Sequence, residues 1–476
     1  MLKNVKPGTF KYLKVLFFTF FSTKLRCDPI IGKAMERAFT LELQKWQKSP
    51  DRKPLVLMGA RQVGKTFLLK KFAAENYENF IYLNFDKDRR LGPLLFGESL
   101  DPKVLTSKLS IHFKQNIKAN STLIIFDEVQ ESPDALSSLK YFHEEANEYH
   151  VCAAGSLLGV KLLNTQGFPV GQVNIEYLYP CDFFEFLVAM QETQLLAEIK
   201  NITSISPIVE FLHAKLIDLF KIYLITGGMP EAINTYLKTQ DLYQVREKQS
   251  EILNAYYLDF SKHAPKAQIM KIMQVWESIP SQLVKENKKF IYSIIRQGAR
   301  AHDFEVAIQW LVEADLICKT YNISVPNLPL TAYVNPDIFK LYMFDVGLYG
   351  AMAGLEPDII IHGDKLFKEF KGSLTEAYVA QVLHKLNAGK VRAGLYYWTS
   401  NGKAEIDFVI QHNNKILPLE VKSGTSSKQR SLSVYVDKYA PQLALRTSPQ
   451  NLKITGNLMN IPLYMLGDIR ELLSGI

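Results

Sequence analysis

The sequence predicts an α/β protein, in which a three-layer αβα sandwich is followed by a helical region and a second, smaller α/β domain. Three observations lead to this fold class. An apolar run at residues 55–58 enters a glycine-rich loop, and another at residues 122–126 ends in two acidic residues. Further along, Asp407 is followed, after 12 intervening residues, by Glu-x-Lys. Continuous apolar runs indicate buried parallel strands, and the helical periodicity between them indicates helices packed on the sheet.

The composition is that of an ordinary globular protein, with 47% hydrophobic and 22% charged residues among 476. This length predicts about two to four domains. The net charge of +8 is compatible with nucleic acid or acidic lipid as a partner and indicates neither. Because the cysteines form no CxxC pair, we expect reduced core thiols rather than a disulfide or zinc framework. They are Cys27, Cys152, Cys181 and Cys318.

The glycine-rich loop, GARQVGKT, fits G-x-x-x-x-G-K-[ST] at every fixed position and lies between a strand and a helix pattern. Two glycines let successive backbone N–H groups turn towards a β-phosphate, and the helix N-terminus that follows favours an anion. We expect Lys65 to reach the β- and γ-phosphates during catalysis, and Thr66 to bind Mg²⁺. The expected nucleotide-binding residues are Gly59, Ala60, Arg61, Gln62, Val63, Gly64, Lys65 and Thr66.

The second apolar run ends in Asp127 and Glu128. The carboxyl end of a buried parallel strand faces the nucleotide in sheets of this kind. We therefore expect Asp127 to hold Mg²⁺ and Glu128 to polarise the attacking water as a catalytic residue. Further strands are predicted over residues 79–86 and 150–156, and helices over residues 34–46, 101–118 and 135–148.

Residues 1–34 resemble a short signal peptide, since lysines precede a seven-residue apolar run at 15–21. That run is too short to span a bilayer, and no small-residue cleavage site follows it. The phosphate loop downstream also argues against export. We expect a dispensable extension with Met35 as the natural start, a chain without an integral membrane segment, and a cytoplasmic location.

The middle of the chain, residues 195–280, has helical periodicity broken at Gly227-Gly228-Met229-Pro230. Beyond residue 288 the pattern predicts two helices and then two strands, which is the outline of a winged helix. Such a unit binds DNA or serves as a packing or subunit-interface module. Arg296 and Arg300 lie nearby, but no helix here is rich in lysine and arginine, so we favour packing. The helices are predicted over residues 290–295 and 303–313, and the strands over residues 317–321 and 340–344.

A second group of charged candidate site residues lies in the C-terminal domain. A helix over residues 373–386 places Glu376 in its first turn, and a strand over residues 404–410 contains Asp407. A hairpin then places Asp407 beside Glu420, and period-two alternation places Glu420 and Lys422 on one face. This is the spacing of the PD-(D/E)XK nuclease fold. The other predicted strands cover residues 395–399 and 416–422.

Chemically, this face offers a hard-metal site with a base. Asp407, Glu420 and Glu376 supply oxygens to Mg²⁺ or Mn²⁺, and Lys422 orients or deprotonates a water that attacks a phosphodiester. The alternative is a solvated strand face with alternating charges. We favour the nuclease-like fold because a carboxylate that interrupts an apolar strand is costly without a partner. Cleavage itself stays open, since intact motifs persist in binding-only domains.

Five segments resemble a widespread prokaryotic family of AAA+-like ATPases that carry a C-terminal nuclease-like domain of unknown role. They are GARQVGKT, LIIFDEVQESPDALSSLKYF, AAGSLLGV, FPVGQVNIEYLYPCDFFEFL and YLITGGMPEAI, and the resemblance extends over nearly the whole chain from Met35. It implies an ATPase domain at 35–190, a helical lid at 191–287 and a nuclease-like domain at 356–476, and the pattern described above places a winged-helix-like region between them at 288–355.

The resemblance also bears on two single positions. In AAA+-type ATPases a polar residue at the end of the strand that corresponds to residues 150–156 senses the γ-phosphate. Ser156 stands at that position, where it either has that role or simply caps a helix. The family often has a basic residue after the glycine at position 171, where this chain has Gln172. If that basic group contacts phosphate or a neighbouring subunit, turnover here is expected to be slow.

Together these features predict an ATPase that uses ATP and Mg²⁺ to control a nuclease-like domain acting on DNA or RNA, and they leave room for a homo-oligomer. Two alternatives belong to other classes. One is a nucleotide-switched scaffold with an inert C-terminal domain. The other is a nucleic-acid-binding regulator that acts through the winged-helix region.

Overall fold

The computed structural model of the chain describes residues 36–156, 168–202, 204–284, 288–362, 368–387, 394–402, 404–424 and 430–474. The predicted extension at 1–34 lies outside this described part, as do residues 157–160 of the AAGSLLGV segment.

The N-terminal half is organised around a five-stranded sheet. Its strands run in the order β2-β3-β4-β1-β5, and every neighbouring pair is parallel. All residues of β1, β3 and β4 are buried, which is why these strands read as continuous apolar runs. Because β3 and β4 are neighbours and β4 lies beside β1, the carboxyl ends of the three strands meet at one edge. The bounds are β1 Leu55–Met58, β2 Asn79–Asn84, β3 Thr122–Asp127, β4 His150–Ala154 and β5 Asn174–Tyr177.

Helices cover both faces of this sheet, as a three-layer sandwich requires. The side chains of Leu55 and Leu57 pack with α1 and α2 on one face, whereas Val56 and Met58 pack with α3, α4 and α5 on the other. The bounds are α1 Phe39–Lys48, α2 Lys65–Asn76, α3 Leu91–Phe96, α4 Pro102–Phe113 and α5 Pro133–Glu145.

Three of these helices differ from their predicted bounds, and one of them, α5, covers Pro133–Glu145 instead of residues 135–148. Helix α1 begins at Phe39, later than the predicted start at residue 34. Helix α4 ends at Phe113, five residues before the predicted end, because Lys114 takes a left-handed backbone conformation with φ at +53°. A residue in that conformation terminates an α-helix.

The segment predicted as a lid is helical, as expected. Its break at residues 227–230 packs against the N-terminal half, because Cys181 N donates to the Gly228 carbonyl across 2.7 Å. A Cβ on Gly228 would lie 2.1 Å from the Cys181 carbonyl oxygen, so only glycine fits this close approach. The bounds are α6 Phe183–Ala189, α7 Thr193–Lys200, α8 Glu210–Thr226, α9 Pro230–Thr239, α10 Leu242–His263 and α11 Ile269–Leu283.

The predicted winged-helix region contains two helices followed by an antiparallel strand pair. The first helix is a single turn, shorter than expected. Strand β6 pairs with β7 on one side and, in parallel, with β8 of the C-terminal domain on the other. One sheet, in the order β7-β6-β8-β9 with β9 at Glu405–Ile406, therefore joins the two regions. The bounds are α12 Tyr292–Ile295, α13 Ala301–Glu313, β6 Ile317–Ile323, β7 Val334–Met343, α14 Val346–Met352, α15 Pro357–His362 and β8 Leu395–Thr399.

The C-terminal domain corrects two predictions. Helix α16 begins at Lys368, so Glu376 lies in the middle of the helix and its placement in the first turn was wrong. The strand predicted over 404–410 is two strands, because β9 ends at Ile406 and β10 begins at Phe408. Asp407 is the residue at which the chain leaves one sheet for the next. The bounds are α16 Lys368–Leu386, β9 Glu405–Ile406, β10 Phe408–His412 and β11 Lys415–Val421.

The last sheet has the order β10-β11-β12-β14-β13 and mixes parallel and antiparallel pairs. Strands β10 and β11 form the predicted hairpin, with Phe408 opposite Leu419. The remaining bounds are α17 Arg430–Tyr439, β12 Ala444–Ser448, β13 Lys453–Thr455, β14 Leu458–Pro462 and α18 Ile469–Ser474.

Candidate functional site

The phosphate loop depends on its two glycines. Gly59 and Gly64 have φ angles of +132° and +96°, and a Cβ on Gly59 would lie 2.2 Å from the Leu178 carbonyl oxygen. Lys65 opens α2, and its ammonium donates to the carbonyls of Gly59 and Ala60, both across 2.7 Å. Burial lowers the pKa of Lys65 to about 8, although Glu128 and Asp127 oppose this shift. The ammonium thus folds back over its own loop.

Asp127 is surrounded by hydroxyl and amide donors at the end of β3. Thr66 Oγ1 donates to Asp127 Oδ2 across 3.0 Å, and Tyr82 OH and Asn84 Nδ2 donate to the same oxygen across 2.7 and 3.2 Å. The Asp127 carboxylate and the Thr66 hydroxyl are oxygen ligands of the type that Mg²⁺ prefers, so the two residues fit the predicted ion. No pattern in the sequence pointed to Tyr82 or Asn84 as neighbours of this carboxylate.

Glu128 lies next to Ser156, as expected for residues that follow neighbouring strands. Glu128 has a left-handed backbone, with φ at +51°, and its Oε2 accepts from Ser156 Oγ across 3.1 Å. Gln130 Nε2 donates to the same oxygen across 2.5 Å. The strained backbone turns Glu128 away from the strand direction, and two donors hold its carboxylate.

Arg61 connects the phosphate loop to the lid. Its Nε donates to Ser156 Oγ across 3.0 Å, its guanidinium pairs with Asp259 in α10, and Nη2 lies 3.1 Å from His263 Nε2. Tyr256 OH, also in α10, donates to the Arg61 carbonyl across 2.7 Å. Burial raises the pKa of Asp259, and Arg61 opposes that shift. One side chain of the loop therefore reaches both Ser156 and the lid.

A buried arginine supports the loop from the other side. Arg37 donates to the Val63 carbonyl across 2.7 Å, to the Tyr179 carbonyl across 2.6 Å and to Glu185 Oε1 across 2.9 Å. Lys385, in α16, lies 3.1 Å from Glu185 Oε2. Burial alone would raise the pKa of Glu185, but Arg37 and Lys385 lower it to about 2. Arg37 belongs to no sequence motif, so the sequence alone did not predict that it supports the phosphate loop.

The C-terminal group of charged candidate site residues is partly assembled. Asp407 Oδ2 accepts from the backbone N–H of Val421 across 2.7 Å, which places it beside Glu420 on the neighbouring strand. Lys422 is ion-paired with Glu420, so their side chains share a face. Burial and the charge of Glu376 raise the pKa of Asp407 to about 8, although nearby lysines oppose this.

Glu376 is held by cations instead of facing an open site. It is ion-paired with Lys288, its Oε2 lies 3.9 Å from Lys340 Nζ, and Tyr342 OH donates to Oε2 across 3.2 Å. Over the described ranges, no group of three or more His, Cys, Asp or Glu side chains is arranged to hold a metal ion. The predicted set of Glu376, Asp407 and Glu420 therefore does not fit a divalent ion as it stands. Neither lysine carried a signal in the sequence, because both lie far from these carboxylates along the chain.

Three family models match separate parts of the chain. One described as an AAA domain matches residues 51–187. Two described as domains of unknown function, DUF8612 and DUF4143, match residues 217–359 and 371–466. No curated protein matches the chain. In the part of the chain that the structure describes, no helix has the length and apolar character to cross a membrane.

Several solved structures are similar to the chain at low identity. A Walker-type ATPase of Pyrococcus abyssi is 14% identical, with 69% of this chain and 99% of that chain covered and a TM-score of 0.41. The ADP form of the Aeropyrum pernix ORC2 protein is 13% identical, with 72% and 97% covered and a TM-score of 0.31. Cdc6p from Pyrobaculum aerophilum is 12% identical, with 72% and 98% covered and a TM-score of 0.24.

In the N-terminal half, the match to the AAA family model covers the same segments that form the phosphate loop and the strand ends beside it. The match spans the glycine loop, the acidic end of β3 and the strand that leads to Ser156. Residues 51–187 therefore match an AAA domain and contain the glycine loop of a P-loop fold.

Proposed function

We propose that the protein binds and hydrolyses ATP, and that hydrolysis controls a nuclease-like C-terminal domain that acts on DNA or RNA. One observation carries the ATPase part of this proposal. Thr66 in α2, Asp127 and Glu128 at the end of β3, and Ser156 after β4 meet beside the glycine loop. Hydrogen bonds link Thr66 to Asp127 and Glu128 to Ser156.

Each of these residues has a role in the proposed reaction. Lys65 would bind the β- and γ-phosphates, and Thr66 and Asp127 would hold Mg²⁺, which when bound supplies charge neutralisation of the phosphates. Glu128 is placed to accept a proton from the attacking water. Ser156 would sense the γ-phosphate, because it contacts both Glu128 and Arg61.

Contacts between the ATPase domain and the C-terminal part support the idea of control. Asp345, just before α14, accepts from the backbone N–H of Gly228 across 2.6 Å, and Lys385 in α16 lies 2.8 Å from Asp182 Oδ2. Gly228 in turn accepts from Cys181 N. A movement of the lid would therefore reach the C-terminal domain through buried polar contacts.

A nucleotide-switched scaffold is the second candidate. The ion pair between Lys288 and Glu376 favours it, because one predicted metal ligand is already neutralised. A scaffold would use the same ATPase site to switch partner binding while the C-terminal domain stays inert.

A nucleic-acid-binding regulator is the remaining alternative. Arg296 and Arg300 are exposed and available to phosphate groups. Binding through them would weaken steeply with salt, and the salt dependence would disappear when both arginines are replaced.

ATP turnover is the first test. Glu128→Gln should lower hydrolysis by about 100-fold or more while ATP binding persists, because only the proton acceptor is lost. Glu144→Gln, at an exposed glutamate in α5, is the matched control and should behave as wild type. Wild-type protein that binds no ATP, or hydrolysis unaffected by Glu128→Gln, would reject the ATPase assignment.

Cleavage of plasmid and single-stranded DNA or RNA tests the second part, with Mg²⁺ or Mn²⁺ and with or without ATP. Cleavage that Asp407→Ala abolishes would support the nuclease assignment. ATP turnover without any metal-dependent cleavage would favour the scaffold.

A further inference from the structure

The Arg61 side chain lies between the end of β4 and the lid helix α10. Towards β4, its Nε donates to Ser156 Oγ across 3.0 Å, and Ser156 in turn donates to Glu128. Towards the lid, its guanidinium is ion-paired with Asp259 and lies 3.1 Å from His263 Nε2. The side chain of Arg61 is 21% exposed, so this guanidinium beside the phosphate loop is accessible to a ligand.

We propose that Arg61 binds the γ-phosphate of ATP, and that Asp259 is the carboxylate that holds the guanidinium until that phosphate arrives. The inference rests on the proposed function, because it takes the loop as the site of ATP. It goes further in naming the phosphate that Arg61 recognises, which is the one that ATP has and ADP lacks. Arg61 and Asp259 then let a single chain distinguish ATP from ADP.

The contacts of the guanidinium place it beside the expected position of the γ-phosphate. In the proposed reaction this phosphate lies next to Ser156, which senses it, and to Glu128, which accepts the proton of the attacking water. Ser156 contacts both Arg61 and Glu128. The N–H groups of a guanidinium form a fork that matches phosphate oxygens, so an arginine at this place is suited to bind the terminal phosphate.

Two cations lie close together at the loop, which is a second, independent observation. Burial lowers the pKa of Lys65, and the nearby charge of Arg61 acts in the same direction. Each cation is meanwhile held by protein oxygens, Lys65 by the carbonyls of Gly59 and Ala60 and Arg61 by Asp259. An anion between the two cations would replace their repulsion by attraction to both. The terminal phosphate of ATP supplies such an anion.

Asp259 is a counter-ion that can give up the guanidinium. Burial raises the pKa of its carboxyl, and both Arg61 and Lys262 oppose that shift. Lys262 belongs to the same helix, so it stays near Asp259 when Arg61 turns to the phosphate. The side chain of Asp259 is also 15% exposed, which leaves it partly hydrated. A terminal phosphate carries more negative charge than a carboxylate, so it competes for the guanidinium.

Equilibrium binding of two nucleotides tests the proposal. ADP and a non-hydrolysable ATP analogue with an imido-linked γ-phosphate are titrated with Mg²⁺ into each protein by isothermal calorimetry. Arg61→Met should weaken binding of the analogue by about 10- to 100-fold and leave ADP binding nearly unchanged, because only the analogue has a γ-phosphate. Glu247→Gln, at an exposed glutamate in α10, is the control and should bind both nucleotides as wild type does. Equal losses for the two nucleotides, or no loss, would overturn the proposal.

Asp259→Asn covers the case in which Arg61→Met does not fold. Without the competing carboxylate, the affinity for the analogue relative to ADP should rise by about threefold. A pair that only supports the fold would leave this ratio unchanged or lower it, and either result would contradict the competition. Wild-type protein that binds neither nucleotide would reject the ATPase assignment and this inference with it. Wild-type binding of both nucleotides, with an unchanged ratio in the variants, would overturn the inference alone.

Discussion

Arg37 and Glu185, which are 148 positions apart, form a buried ion pair with 2.9 Å between Nε and Oε1. The same guanidinium donates to the Val63 carbonyl in the phosphate loop. The pair therefore fixes the loop to the segment that follows β5. Lys385 adds a second cation to Glu185, so the C-terminal helix α16 shares this support.

Replacing Arg37 should destabilise the fold. Arg37→Met leaves the buried Glu185 carboxylate with Lys385 as its remaining cation, and the free energy of unfolding should fall by about 3 kcal/mol, the lower end for a broken buried pair. Urea unfolding measures the change. Lys48→Met, at the exposed end of α1, is the control and should cost little. Equal stability of Arg37→Met and wild type would show that the pair is not needed.

Replacing Arg61 should loosen the lid. Arg61→Met removes the bonds to Ser156, Asp259 and His263, so amide hydrogen exchange near the C-terminal end of α10 should be about tenfold faster. Lys262→Met is the control, because the ion pair of Lys262 with Asp86 is exposed to solvent and contributes little. Unchanged exchange in Arg61→Met would mean that apolar packing alone holds the lid.

Stability should depend on pH through Asp345. Burial raises the pKa of this carboxyl to about 6 from 3.8, although N–H donors such as Gly228 oppose the shift. The folded protein thus holds the proton more tightly than the unfolded chain, and this stabilising contribution is present below the unfolded pKa and lost as the pH rises through about 6.

The expected loss is about 3 kcal/mol in the free energy of unfolding of wild type relative to Asp345→Asn, which does not titrate. Urea unfolding at a series of pH values between about 4 and 7 measures it. The exposed variant Asp134→Asn should follow the wild-type curve. Parallel curves for wild type and Asp345→Asn would contradict the prediction.

Two glycine substitutions should have opposite effects. Gly228→Ala places a Cβ against the Cys181 carbonyl, so it should lower the free energy of unfolding by about 1–3 kcal/mol or more. A Cβ in Gly372→Ala, in α16, meets no described atom within 4 Å, and the substitution should raise the free energy of unfolding by about 0.5–1 kcal/mol, because alanine favours a helix. Thermal unfolding of both variants checks the signs, and a stable Gly228→Ala would show that the lid can shift.

Much of the ATPase half was predictable because its signals are local. A glycine loop between a strand and a helix, and acids at the end of an apolar strand, are patterns of adjacent residues. The two donors on β2 were not predictable, since Tyr82 and Asn84 reach Asp127 only because β2 lies next to β3. Strand order is a long-range property.

The amino-acid sequence by itself determined the phosphate loop, the buried strands and the hairpin that brings Asp407 to Glu420, because each depends on short-range periodicity and glycine geometry. Only the tertiary structure decided which charges meet. Lys288 pairs with Glu376 across 88 positions, and Arg61 pairs with Asp259 across 198. Such pairs form when packing brings two distant charges together and removes both from water. The local sequence around each residue therefore does not indicate which residue will be its partner.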